Sequence, residues 1–458
     1  MSAPIAVVGA GPNGLAAAVA LAREGHRVVV HEAAETIGGG TRSEELTLPG
    51  FVHDVCSAVH PMGAASPFFR SLDLAAHGLE WVHPPLPLAH PFDDGSAAVL
   101  ERSPAATAAS LGPADRRPYR RLMDPLVRHW QSVLAEALAP PLRLPRHPLL
   151  MARLALVGLR PASNLAGRRF SGERARAFFL GIASHTLLPM EKAPSAAFGL
   201  ILALAGHGAG WPIARGGSQA ITRALAGRLR ELGGSILTGS PVRDIASLDD
   251  ARAVLLDLTP RQVLTVAGHR LPAHYRRQLA RYRYAPGVFK VDWALREPIP
   301  WRAAACRRAG TVHLGGSGDE IRRSAAAAWY GEEDERPFVL LSQPSLFDPS
   351  RAPAGLHTAW AYCHVPHGSR RDMAAAIERQ VERFAPGFSG VILGRHTLDT
   401  AALETHDENL VGGDISGGVQ DLRQLFFRPA PRLDPYTTPD PRLFLCSAAT
   451  PPGAGVHG

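Results

Sequence analysis

Six residues near the start of the chain, Gly9-Ala10-Gly11-Pro12-Asn13-Gly14, leave little freedom in how it folds. They follow the apolar run Ile5–Gly9 and open a helix-forming stretch, Asn13–Arg23, which Gly25 ends before the β-branched run Val28–His31. The pattern predicts strand, tight turn, helix and strand in succession. Gly9 permits the turn, Gly11 lets the backbone approach a pyrophosphate, and Gly14 lets the helix pack close to the strand while its N-terminus faces the phosphates. Asn13 lies in the same turn and is a further candidate contact. Glu32 ends the second strand, where a carboxylate accepts hydrogen bonds from ribose hydroxyls. An acid there argues against a 2′-phosphate.

A chain of 458 residues exceeds what one hydrophobic core fills, so two domains are expected. From Leu111 to Ala205 the sequence reads as mostly helical. Gly216–Ile245 then returns to helix, Gly-Gly stop and strand, and Gly287–Leu295 and Thr358–Val365 read as strands with a helix at Arg371–Phe384. The expected fold is α/β, a Rossmann-type dinucleotide-binding domain with an inserted α+β substrate domain. Residues 1–100, 211–260 and 400–458 are assigned to the first, and 101–210 and 261–399 to the second.

The net charge of +8 raises nucleic acid as a partner, but the arginines are scattered and Lys192 and Lys290 are the only lysines. Nucleic-acid binding is therefore not expected. Cys56, Cys306, Cys363 and Cys446 are far apart, and no histidine spacing suits a metal, so no metal site is expected. The opening MSAPIAVVGAG runs almost directly into a strand, which leaves no room for a secretory signal and points to a cytoplasmic protein. No apolar run is long enough to span a bilayer. Pro148–Arg160 carries Arg153 and Arg160 on one face, with Arg143 and Arg146 just before it, which suits peripheral contact with a membrane surface. An amphipathic helix capping the second domain is the other reading.

After the ribose-binding acid come Thr36-Ile37-Gly38-Gly39-Gly40-Thr41-Arg42-Ser43 and Phe51-Val52-His53-Asp54. Here the sequence resembles the glutathione-reductase-like flavoproteins, in the branch of phytoene desaturases, carotenoid isomerases and flavin amine oxidases. The resemblance implies FAD as cofactor, with Gly38, Gly39 and Gly40 along its pyrophosphate and ribityl chain. The family pattern places arginine directly after the glycine pair, whereas here it arrives as Arg42. Gly412–Gly418, Leu425–Pro429, Tyr436–Pro439, the strand Leu443–Ser447 and the turn Pro452–Gly458 are similar to the group of pyridine nucleotide-disulfide oxidoreductase domain-containing protein 2. In that superfamily the last turn, here with Gly453, Gly455 and Val456, starts a helix aimed at the flavin pyrimidine; the sequence ends at Gly458, where that helix would begin.

The resemblance carries further residues with it. Ser240–Asp244 matches a strand passing the adenine, which makes Val242 an adenine contact or a core valine. Pro286–Trp293 is similar to an amine-oxidase strand whose lysine reaches flavin N5 through a water, so Lys290 is the catalytic candidate, against an edge-strand lysine. His60, before Pro61, either faces the ring or is a satisfied core histidine. The glycine clusters Gly315–Glu320 and Gly412–Gly418 lack strand-to-helix context, so no NAD(P)H site is expected. The expected activity is hydride removal from an apolar, lipid-like or unsaturated substrate, with oxygen or a quinone reoxidising the flavin. A flavin amine oxidase and a carotenoid-isomerase-like or non-catalytic flavin protein are the alternatives.

Overall fold

Valine and isoleucine at Ile5–Val8 and Val28–His31 favour extended backbone. In the computed structural model, which describes residues 3–456, these two strands are neighbours in a five-stranded sheet. Its order is Leu443–Leu445, Ala253–Leu256, Ile5–Val8, Val28–His31 and Ser235–Leu237. Every pairing is parallel, so both faces need cover. Alternation along the strand supplies it. Val7 enters a core shared with the helices Pro12–Arg23 and Gln219–Glu231, while Ala6 and Val8 enter a second core with Pro260–Ala267 and Ala273–Ala280.

A seven-stranded sheet forms the rest of the frame, in the order Ile392–Leu398, Gly287–Leu295, His357–Val365, Val339–Ser342, Ala309–Leu314, Leu86–Pro91 and Ala97–Leu100. It is antiparallel except where Leu86–Pro91 pairs with Ala309–Leu314. One face, with Val291, Trp293, Val312, Leu341 and Ala361, packs on the helix Ala374–Phe384. The other face presents Thr311, His313, Leu340, Trp360 and Tyr362. Helices from Pro104–Ser110 through Ser195–Gly208 form a bundle whose core includes Leu88, Leu100 and Leu340 from that second face.

The sheets correct three sequence expectations. Leu86–Pro91 and Ala97–Leu100 were assigned with residues 1–100 to the nucleotide domain, but they pair into the seven-stranded sheet, because both edges of Leu86–Pro91 find partners there. Residues 261–280 were assigned to the substrate domain, yet Val263, Val266, Tyr275 and Leu279 pack against the five-stranded sheet. Ser240–Asp244 is a connection after the strand Ser235–Leu237, not a strand.

Gly14 shows how tightly the opening unit is closed. A Cβ there would lie 2.2 Å from the backbone oxygen of Gly9, which no side-chain rotation relieves. Gly14→Ala is expected to destabilise the protein by about 1–3 kcal/mol through overpacking and to weaken its hold on the flavin that the sequence resemblance implies. Urea unfolding and the flavin retained through gel filtration check both.

Candidate functional site

The opening helix has no cap from its own N-cap residue. Gly11 precedes it, Pro12 takes its first position, and its first turn has no acidic residue. Asp257 takes the Gly14 N–H and the Gly11 carbonyl takes that of Leu15, so the Asn13 N–H and the positive end of the dipole remain available to an anion. They face a cavity of about 1440 Å³ that runs between the two sheets. Gly9, Gly11, Asn13, Gly39, Gly40 and Arg42 line one part of it, with Glu32 and Val242 beside them. Gly9 at φ 104° and Gly39 at φ 50° hold backbone shapes that side chains disfavour, and a Cβ on Gly39 would come within 3.3 Å of Gly11.

Glu32 ties this cradle together: its Oε2 accepts the Ala10 N–H at 2.7 Å and its Oε1 accepts the Ala34 N–H at 2.9 Å. Arg42 donates from Nη1 to the His406 carbonyl at 3.0 Å and lies 3.6 Å from Glu32. Its Nε is buried without a partner. A glycine cradle, an open helix end and an unsatisfied guanidinium donor suit a dinucleotide pyrophosphate, so these residues fit FAD and would hold it. Gly455 and Val456 also line the cavity. Gly14 and Gly38 lie behind the lining, where Gly14 packs on Gly9 and Gly38 turns the chain at φ 132°. Gly453 packs on Arg428 instead: a Cβ there would sit 2.8 Å from the guanidinium.

His60 does reach the cavity wall. The buried Asp54, ion-paired with Arg351, accepts the Ser218 N–H at 2.7 Å, and the Ser218 hydroxyl meets His60 Nε2 at 2.8 Å. Burial pulls His60 down to about 4, against the pull of Asp54. It is thus a neutral, positioned imidazole near pH 7.

Lys290 is not where the resemblance implies. It is buried and absent from the cavity lining, and its ammonium is paired with Asp292, two residues along the same strand and on the same face. The Nζ lies 5.6 Å from the ring of Trp360, which does line the cavity. His53 Nδ1 approaches Asp292 at 3.5 Å. Desolvation requires this pairing, since an isolated buried charge is far costlier than a paired one.

Sequence reading missed the residues that shape the far part of the cavity. Trp360 and Tyr362 stack at 5.7 Å with an interplanar angle of 11°, and Trp211 packs edge-on against His185 at 5.3 Å. Met62, Phe198, Ile201, Leu202 and Leu340 complete an apolar wall. His185 Nε2 meets His313 Nε2 at 3.0 Å, and burial pushes His185 down to about 3. The aromatic pair had a signal in its alternate positions on a recognised strand; Trp211 and His185 had none. Along residues 143–160, a segment whose Arg143, Pro145, Pro148, Met151 and Leu159 line the cavity and so flank its mouth, Leu144 is 94% exposed, Leu149 87% and Leu156 69%, interleaved with exposed Arg143, Arg146, Arg153 and Arg160. Among the described residues no cluster of three or more His, Cys, Asp or Glu suits a metal ion, and no helix is long and apolar enough to cross a membrane.

Residues 13–458 match the family described as flavin containing amine oxidoreductase. The chain is 26% identical over 530 residues to pyridine nucleotide-disulfide oxidoreductase domain-containing protein 2 of Rattus norvegicus, covering 99% of this chain and 90% of that one. It is 27% identical over 398 residues to a phytoene dehydrogenase of Streptomyces griseus, covering 79% and 73%. An oxidoreductase from Methanosarcina mazei has the same fold, with a TM-score of 0.68 at 17% identity over 99% of this chain and 97% of that one.

Lys290→Met leaves Asp292 buried without its cation, and a loss of about 3–5 kcal/mol is expected in chemical denaturation. Replacing Asp292 with Leu in the same protein should recover much of it. Were Lys290 a free cavity amine, turnover alone would fall and stability would hold.

Proposed function

The chain belongs to the flavin-containing amine oxidoreductase family, whose cofactor is FAD, and from that premise we propose that this FAD-dependent oxidoreductase is of the desaturase type, acting on an apolar, lipid-like or unsaturated substrate. Held in the glycine cradle, FAD would supply a two-electron acceptor for hydride from a substrate C–H bond, with oxygen or a quinone as the final acceptor. The chain's own part is to bind and orient that substrate and to keep water from it.

The observation that carries this reading is the absence of a free carboxylate on the apolar wall among the described residues. Glu32, Asp257 and Asp407 belong to the cofactor cradle, and Glu136 is paired with Arg143 at 2.8 Å. Asp414 accepts the N–H groups of Ala285, Ser416 and Gly418, and Glu408 is exposed. An ammonium substrate would find no counter-ion there, whereas an alkyl or polyene chain would bury against Phe198, Ile201, Leu202 and Trp211 at about 25 cal/mol per Å². The similarity to a phytoene dehydrogenase supports the same direction.

The amine oxidase reading is favoured by one feature, the stacked pair Trp360 and Tyr362 on the cavity wall, since aromatic faces attract cations. Its weight is smaller because a cation–π contact contributes about 0.5–2 kcal/mol, less than desolvating an ammonium costs.

The mouth supports delivery from a membrane surface. Exposed Leu144, Leu149 and Leu156 would enter the lipid interface while Arg146, Arg153 and Arg160 reach its anionic headgroups.

Two measurements test these readings. Under anaerobic conditions, apolar unsaturated compounds in vesicles should bleach the visible flavin band; bleaching by primary amines alone would replace the proposal with amine oxidation. Conversion that needs pre-reduced flavin would point to isomerisation. The double variant Leu144→Asp with Leu149→Asp should keep its flavin and its fold, yet lose at least about tenfold in binding to anionic vesicles, as expected from removing about 1.5–3 kcal/mol of burial per leucine. Unchanged co-sedimentation would remove the membrane from the account.

A further inference from the structure

Asp257 stands where a phosphate-binding site would ordinarily exclude a carboxylate. It follows the strand Ala253–Leu256, beside the opening strand, and its Oδ2 accepts the Gly14 N–H at 2.8 Å. Cβ atoms placed on Gly9 and Gly11 would each lie 3.1 Å from its side chain. The carboxyl is therefore part of the floor of the turn that fits the FAD pyrophosphate. Its Oδ1 has no protein partner among the described residues and is not sealed off, and Asp257 lines the cavity.

The surroundings make an ionised form there harder to hold. Glu32 faces it from the end of Val28–His31, Asp407 from the end of Thr400–His406, and the Cys446 thiol from the strand Leu443–Leu445. Arg42 is the cation of this cradle, its two Nη groups engaged by Glu32 and the His406 carbonyl, and burial holds the His406 imidazole neutral. Burial first, then Asp407 and Glu32, push Asp257 up to about 8 against the lowering effect of the Gly14 N–H. A pyrophosphate would add two further negative charges beside it.

We infer that Asp257 holds the FAD pyrophosphate as a neutral acid, its Oδ1–H donating to a phosphate oxygen while Oδ2 keeps the Gly14 N–H, so that cofactor capture requires a proton on this residue. No covalent bond to the cofactor forms or breaks; where the carboxyl is ionised beforehand, the proton comes from solvent. The inference rests on FAD occupying this cradle.

The sign of the pH dependence follows. Below about pH 8 the acid is already protonated and binding takes up no proton, so affinity is flat. Above it, each binding event draws in one proton, and affinity falls by about tenfold per pH unit until the cofactor-bound acid also titrates. An ionised, accepting Asp257 would give no such slope.

The experiment measures FAD binding to the apoprotein by flavin fluorescence between about pH 6.5 and about pH 9, with calorimetry at the upper end in two buffers of different ionisation enthalpy. The native protein should bind about tenfold more weakly at the upper end and take up close to one proton. Asp257→Asn keeps an acceptor for Gly14 and a donor for the phosphate; it should match the native affinity at low pH and lose the slope. Riboflavin, which has no pyrophosphate, should bind without the slope. A native profile that is flat, an Asp257→Asn profile that keeps the slope, or a riboflavin profile that shares it overturns the inference while leaving FAD binding intact. Failure to hold FAD at any pH removes the FAD assignment and this inference together.

Discussion

Everything in the nucleotide-binding half hangs on the contact between the opening helix and the opening strand at Gly14 and Gly9. With no Cβ at Gly14, the helix N-terminus sits directly on the Gly9 carbonyl, and the two backbone N–H groups this leaves exposed are claimed by acidic side chains. Glu32 takes Ala10 and Asp257 takes Gly14, from positions 22 and 243 residues away. Such hydrogen bonds contribute about 0.5–3 kcal/mol each, enough to fix the turn but only when both distant strands are in place. The turn is thus assembled by the sheet. This is why the C-terminal strand Leu443–Leu445, paired to Ala253–Leu256, belongs to the same cooperative unit.

The second sheet divides its two faces between stability and site. Its outer face is plain apolar core. Its inner face carries polar and titratable groups that would be ruinous if left charged and alone, and each is handled differently. Lys290 and Asp292 neutralise each other, with His53 alongside. The histidines are kept uncharged: burial lowers His90 to about 4 and His313 well below its ordinary value, and His90 Nε2 donates to the Gly316 carbonyl at 2.9 Å. The wall facing the cavity is polar in places yet carries no net charge, which suits an apolar substrate held against a redox cofactor.

What could be read from the sequence was what local spacing determines. The strand, glycine turn, helix and terminal acid were legible because each residue's role depends on neighbours within about one βαβ unit. The strands Gly287–Leu295 and His357–Val365 were legible from alternation. Leu86–Pro91 was assigned to the wrong domain because its partner strand, Ala309–Leu314, lies more than 200 residues on, and nothing local records that pairing. The helices at Pro260–Ala280 share their apolar spacing with any amphipathic helix, and which sheet they cover is a tertiary choice. Lys290 is the instructive case. Its partner was visible two residues away, where period-2 geometry puts both side chains on one face, and reading Lys290 with Asp292 rather than alone predicts a buried pair. Asp257 also had a signal, an acid at the carboxyl end of a parallel strand next to the glycine turn.

The charge layout then gives the cavity a direction. Acidic side chains gather at the cradle, while residues 143–160 carry arginines set among exposed leucines, and of these Arg146, Arg153 and Arg160 have no ion-pair partner among the described residues. Leu144, Leu149 and Leu156 would each gain about 1.5–3 kcal/mol on full burial, and each arginine near an anionic surface about 1 kcal/mol. Against these stand the entropy of association and the partial depth such a short helix reaches. The balance is of the order that gives reversible attachment, far below the permanence of a spanning helix. On the reading proposed here that weakness is useful: a surface held too tightly would fix the mouth against one patch of lipid, whereas a protein that attaches and leaves can sample substrate across a bilayer.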